Sequence, residues 1–139
     1  MTGKPRAATF LPAAVQDLER LRGDDPALPG MALRKVRDLE VGEIEGQPLQ
    51  EMAVTGDLAD CRKVYFGQGN PPSHRIVYRQ LDDGAIDVLE IVAVEAREEM
   101  YAYLLAAVRL GRLPEESRPR FKRLHQAAIE RRSSRRQRK

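Results

Sequence analysis

The chain contains no tryptophan and a single cysteine, Cys61. One thiol excludes an internal disulfide and a cysteine-rich zinc site, and it fits a reducing compartment. No apolar run approaches the ~18 residues that a membrane-spanning helix needs, so no membrane partner is expected. The opening residues, Met1-Thr2-Gly3-Lys4-Pro5-Arg6, lead into no apolar stretch. No secretory signal is therefore expected, and the expected location is the cytoplasm. The two histidines, His74 and His125, stand far apart without ligand spacing, so no metal or other cofactor is expected. No carboxylate pair and no nucleophile–histidine pair suggests itself either.

What the chain has is charge, unevenly placed. Residues 118–139 carry ten Lys or Arg against the single Glu130, whereas residues 1–117 carry fourteen against twenty acids; +9 and −6 make up the net +3. A mildly acidic body with a strongly basic end points to an anionic partner such as nucleic acid, or else to a solvated, solubilising tail. The length suits one domain with a modest core. The division expected is a domain over residues 1–114 and a basic helical extension over 115–139, disordered from Ser133.

Hydrophobic periodicity places the elements. Ala8-Thr9-Phe10-Leu11 suits an edge strand, and Pro12 suits a first helical turn, where no donor is missed. Leu11, Ala14, Val15, Leu18 and Leu21 recur at helical spacing to about Arg22, with Asp17, Glu19 and Arg20 on the wet side. A second helix from near Pro29 turns Ala32, Leu33, Val36 and Leu39 inward. Residues 41–57 read as a long connection anchored by Leu49 and Met52. Strands follow at Cys61–Phe66, His74–Leu81 and Ile86–Val94, the last two joined by the turn Asp82-Asp83-Gly84 and the last apolar enough to be central. A helix from Glu98 to about Leu110 carries Tyr101, Leu104, Leu105 and Val108 as its stripe, with Gly111 as its cap. A final helix to about Arg132 turns Phe121, Leu124, Ala128 and Ile129 inward. The class is α+β: an N-terminal α-hairpin packed on a small, mainly antiparallel sheet, then C-terminal helices.

Strand alternation puts Cys61, Lys63 and Tyr65 on one face and Arg62, Val64 and Phe66 on the other; Arg75, Val77 and Arg79 share a face of the next strand. Lys63, Arg75, Arg97 and Tyr103 can then converge. Within one continuous helix Arg97 and Tyr103 would point roughly 240° apart, at about 100° per residue. They meet only if Arg97 ends the strand and the helix starts after it. Such a cluster suits RNA cleavage by the substrate's own 2′-hydroxyl, which needs a base, cations for the phosphorane-like charge, and an acid for the leaving 5′-oxygen. Arg holds phosphate bidentately, while Lys or Tyr can move a proton if neighbouring cations lower its pKa. The same residues also suit a bland reading: a solvated strand lysine, an arginine paired with a buried acid, and a rim tyrosine. Arg62, Tyr65, Arg79, Arg120, Lys122 and Arg123 are further candidates for RNA contact.

Along Gly56-Asp57-Leu58-Ala59-Asp60-Cys61-Arg62-Lys63-Val64, His74-Arg75-Ile76-Val77-Tyr78-Arg79, Ala96-Arg97-Glu98 and Tyr103, the chain resembles the RelE/ParE toxin superfamily. The resemblance spans roughly residues 8–112 and is most specific from Asp57 to Arg112. It implies a RelE-like fold and, for RelE-type members, a ribosome-dependent mRNA endonuclease that leaves a 2′,3′-cyclic phosphate. The implied partners are a cognate antitoxin, the ribosome and mRNA. Lys63 matches a catalytic lysine, Arg75 the arginine of the second motif, Arg97 the arginine after the last strand, and Tyr103 the helix tyrosine. Tyr65 stands where RelE-type members have a second strand lysine, and His74 where they have tyrosine. Two alternatives stay open: a ParE-type toxin that binds DNA gyrase without cutting RNA, and an inactive RelE-fold module that binds RNA or protein.

Overall fold

The computed structural model describes residues 5–49, 55–82, 84–96 and 100–137. Arg97 and the helix-start acids Glu98 and Glu99 lie outside the described residues, as does Met52. The strands are β1 (Arg6–Phe10), β2 (Gln47–Pro48), β3 (Cys61–Phe66), β4 (His74–Asp82) and β5 (Asp87–Ala96). The helices are α1 (Pro12–Asp24), α2 (Leu28–Glu40), α3 (Tyr101–Arg109) and α4 (Arg118–Gln137), the last entered through a 3-10 turn at Glu115–Ser117.

The strands form one mixed sheet in the order β1-β5-β4-β3-β2, in which only the β1–β5 pair is parallel. β5 has neighbours on both sides and both its faces are covered, which is why its sequence is nearly all apolar rather than alternating. On one face α1 and α2 bury Ala14, Leu21, Val36 and Leu39 against Val64, Phe66, Ile76, Tyr78 and Ile91. On the other, Leu104 and Leu105 of α3 and Leu124 and Ala128 of α4 join a cluster with Cys61, Val77 and Ala93. At one edge β2 is only two residues long and ends in Pro48, a usual way of blunting a sheet edge.

Several inward assignments differ. Val15, Leu33, Val108 and Ile129 are exposed. α3 shows why: it buries Ala102, Ala106 and Ala107 beside Leu104 and Leu105, so its sheet-facing side centres on small residues and Val108 falls on the rim. Asp17, read as wet, is fully buried. β1 pairs with β5 only as far as Phe10 opposite Ile91, and beyond that point the Asp17 carboxylate accepts from the Val94 amide at 2.9 Å. A side chain there replaces a missing strand.

Two boundaries bear on the site. Met100 has φ 69°, left-handed backbone that cannot belong to the following helix, and α3 begins at Tyr101. α4 continues past Arg132 to Gln137. Arg132 ties it down, donating from Nη2 to Asp24 at 3.0 Å and to Glu95 at 2.8 Å. The 41–57 connection contains β2, whose Gln47 and Pro48 stand opposite Lys63 and Arg62.

A candidate phosphate-handling cluster beneath helix α3

The β3–β4 register sets Tyr65 opposite Arg75 and Lys63 opposite Val77. Directly paired residues project to the same face, so Lys63, Tyr65 and Arg75 all face the α3 side. The first turn of α3 then brings in Tyr103. Arg75 is the hub. It is 6% exposed, its Nε donates to the Tyr103 hydroxyl at 3.2 Å, and its Nη1 donates to the carbonyls of Pro72 at 2.8 Å and His74 at 3.0 Å. Its guanidinium carbon lies 3.5 Å from the centre of the Tyr65 ring. The Lys63 ammonium sits between two phenol rings, 5.3 Å from the centre of Tyr65 and 5.8 Å from that of Tyr103.

Two cations are held by aromatic faces and carbonyls, with no ion pair to a carboxylate among the described residues; Glu95, opposite Arg75 in register, pairs with Arg132 instead. Such a site has charge to offer an anion. The cations also act on their neighbour. Hydrogen bonding with the Lys63 ammonium is the main cause holding the Tyr65 hydroxyl below its ordinary value; partial burial opposes it, and the charges of Lys63 and Arg75 reinforce it. The two cations thus ease loss of the Tyr65 proton. Sequence reading set Tyr65 down as an RNA contact standing in a lysine's place. The signal available was the strand alternation that puts Tyr65 on the same face as Lys63.

The other candidates lie elsewhere. Arg62 points to the opposite face and donates to the Gly46 carbonyl at 2.9 Å. Arg79 shares the Arg75 face but pairs with Glu90 at 2.7 Å. Arg120, Lys122 and Arg123 are on α4. His125 accepts or donates at 2.8 Å with the Tyr101 hydroxyl and stacks on Phe121, so it fastens α4 to α3. Cys61 is a buried free thiol, pushed up to about 11 chiefly by burial.

Two concavities flank this region. A cleft of about 330 Å³ opens beside Lys63 and Tyr103, lined also by Gln47, Pro48, Leu49, Thr55 and Leu58. A second, of about 360 Å³, lies among Asp24, His74, Glu95 and Arg132. There burial pushes the His74 imidazole below its ordinary value, and Glu95 Oε2 is buried with no hydrogen-bond partner among the described residues. Among the described residues no group of His, Cys, Asp and Glu is placed to hold a metal, and no helix is long and apolar enough to cross a membrane.

No family model matches the chain, and no curated protein matches it in sequence. Solved structures do match. A mutant of the Escherichia coli toxin RelE in its free state superposes with a TM-score of 0.51 at 24% identity, covering 74% of this chain and 95% of that one. The fold is RelE-like. The RelBE2 toxin–antitoxin complex of Mycobacterium tuberculosis is also similar, with a TM-score of 0.43 and 22% identity over 67% of this chain and 99% of that one. The RelE-like α+β architecture expected from sequence is thus present, with one parallel pair at the β1 edge of the sheet.

Proposed function

We propose that this protein is the toxin of a type II toxin–antitoxin pair and that it cuts mRNA on the ribosome through the RNA's own 2′-hydroxyl. The observation that carries the reading is the contact of Arg75 with Tyr103 and Tyr65 beside Lys63, on a fold shared with a RelE toxin. In the reaction the 2′-oxygen loses its proton and bonds to phosphorus, the bond to the 5′-oxygen breaks, and that oxygen takes up a proton. The products are a 2′,3′-cyclic phosphate and a 5′-hydroxyl; no water is consumed.

This chain's residues can divide that work. Tyr65, with its lowered pKa, is the candidate base. Lys63 and Arg75 face the charge that grows on the phosphoryl oxygens, with Arg97 as a further proposed phosphate ligand. The Tyr103 oxygen already accepts from Arg75, so its own proton is directed away from the guanidinium and toward an incoming oxygen. An antitoxin would silence the site by covering these cations with acidic or apolar surface. The test is purified protein, freed of antitoxin, added to ribosomes programmed with mRNA. Cleavage ending in cyclic phosphate is expected, and an intact message would overturn the proposal.

A further inference from the structure

Resting on the endonuclease reading, we infer that the 330 Å³ cleft is a nucleobase subsite. It takes the base of a nucleotide adjoining the phosphate held by Lys63 and Arg75, and Gln47 reads that base's edge.

The geometry gives the link between phosphate and base. Lys63 and Tyr103 belong both to the cluster and to the cleft wall, so a phosphate against Lys63 leaves its nucleoside at the cleft mouth. Gln47 is the direct cross-strand partner of Lys63, and its side chain therefore projects to the same face. The lining suits a base. Pro48, Leu49 and Leu58 offer apolar surface to its faces, and the volume lies in the range of small-ligand pockets, from about 300 Å³ upward. The Thr55 hydroxyl donates to the Gly56 carbonyl at 3.2 Å and keeps its oxygen as an acceptor, while the Gln47 amide is donor and acceptor at once and suits an adaptable reader.

Charge separates the two cavities. Among its described lining residues the cleft has no carboxylate, only the cation Lys63. The other cavity sets three acids, Asp24, Asp25 and Glu95, against Arg131 and Arg132, and Arg132 is already paired with Asp24 and Glu95, so it offers a phosphate less free positive charge.

The experiment titrates isotope-labelled full-length protein with each of the four ribonucleoside 3′-monophosphates, following amide shifts. One base is expected to bind at least ~tenfold more tightly than another, with shifts at Gln47, Leu49 and Leu58. Gln47→Ala should level the four affinities. Gln47→Glu, which swaps the amide donor for an acceptor, should change which base is preferred, an effect that mere loss of structure would not produce. Equal binding of all four, with shifts confined to Lys63, Arg75 and Tyr103, would overturn the subsite. Cleavage on programmed ribosomes separates this from the parent reading. Base-selective binding without cleavage by the wild type leaves the subsite standing and removes the endonuclease. Cleavage with an unchanged sequence preference in Gln47→Ala removes the subsite and leaves the endonuclease.

Discussion

Asp17 and Arg109, 92 residues apart, form a two-pronged ion pair at 2.6 and 2.8 Å that finishes the open edge of β5. Asp17 accepts the Val94 amide, and Arg109 donates to the Val92 carbonyl at 2.9 Å. Both backbone groups would otherwise be buried without partners. Removing one member of a buried pair costs about 3–5 kcal/mol. Because Arg20 also pairs with Asp17, Arg109→Ala should fall toward the lower end of that range. Urea unfolding of Arg109→Ala and Asp17→Asn measures it; midpoints equal to wild type would show that the edge needs no such closure.

Tyr65→Phe should slow cleavage and also alter its pH dependence. A base acts in its deprotonated form, so the wild-type rate should climb with pH until it passes the lowered pKa of Tyr65, and the variant should lose that climb. The comparison is single-turnover cleavage from pH 6 to 9. Parallel profiles would take the proton-accepting role away from Tyr65.

Arg75→Lys keeps the charge but loses the planar fork that reaches Tyr103 and two carbonyls and lies on Tyr65. It should cut the rate by about 10²–10³, the scale of losing one preorganised donor at a charged transition state. Unchanged circular dichroism should accompany the loss. A rate near wild type would mean that any cation suffices at this position.

His74 should make stability depend on pH. Burial is the main cause lowering its pKa from 6.5; Asp24 and Asp25 oppose it, Arg132 and Arg75 reinforce it, and the Ser73 hydroxyl lies 2.7 Å from Nδ1. The unfolded chain therefore takes up the proton first as pH falls. Stability present above about 6.5 is lost progressively as pH falls from there through the lower folded value. Urea midpoints at pH 7.5 and 5.5 should drop more for wild type than for His74→Gln; equal drops would place the effect on the neighbouring acids.

Much of the sheet was legible because β3, β4 and β5 are long enough to show alternation or continuous apolar character. Their register followed from faces that must stay buried. Alternation put Lys63 and Tyr65 on one face and brought Lys63 and Arg75 together on neighbouring strands, but the pairing of Tyr65 with Arg75 is a matter of residue-by-residue register that the structure supplies. Other features were not legible, for physical reasons. Asp17 looks solvated because helical periodicity counts any carboxylate as wet, and nothing in the sequence near it reveals that β1 stops short of Val94. β2 has two residues, too few for a period, so the partnership of Gln47 with Lys63 was invisible. Arg132 was counted with a basic tail, although its partners Asp24 and Glu95 are 108 and 37 residues away.

Gly46 lies between the core and the proposed site. Its amide donates to the Tyr78 hydroxyl at 3.0 Å, its carbonyl accepts from Arg62, and a Cβ there would run into the Tyr78 ring, with ring carbons at 2.6 and 2.9 Å. The backbone just ahead of Gln47 is therefore clamped from both sides by residues that have no part in the chemistry. Retuning of the proposed base preference is expected from exchanging side chains in the cleft wall, position 47 first, rather than from moving the backbone. Shifting the strand that carries Gln47 would first require carving space out of the core.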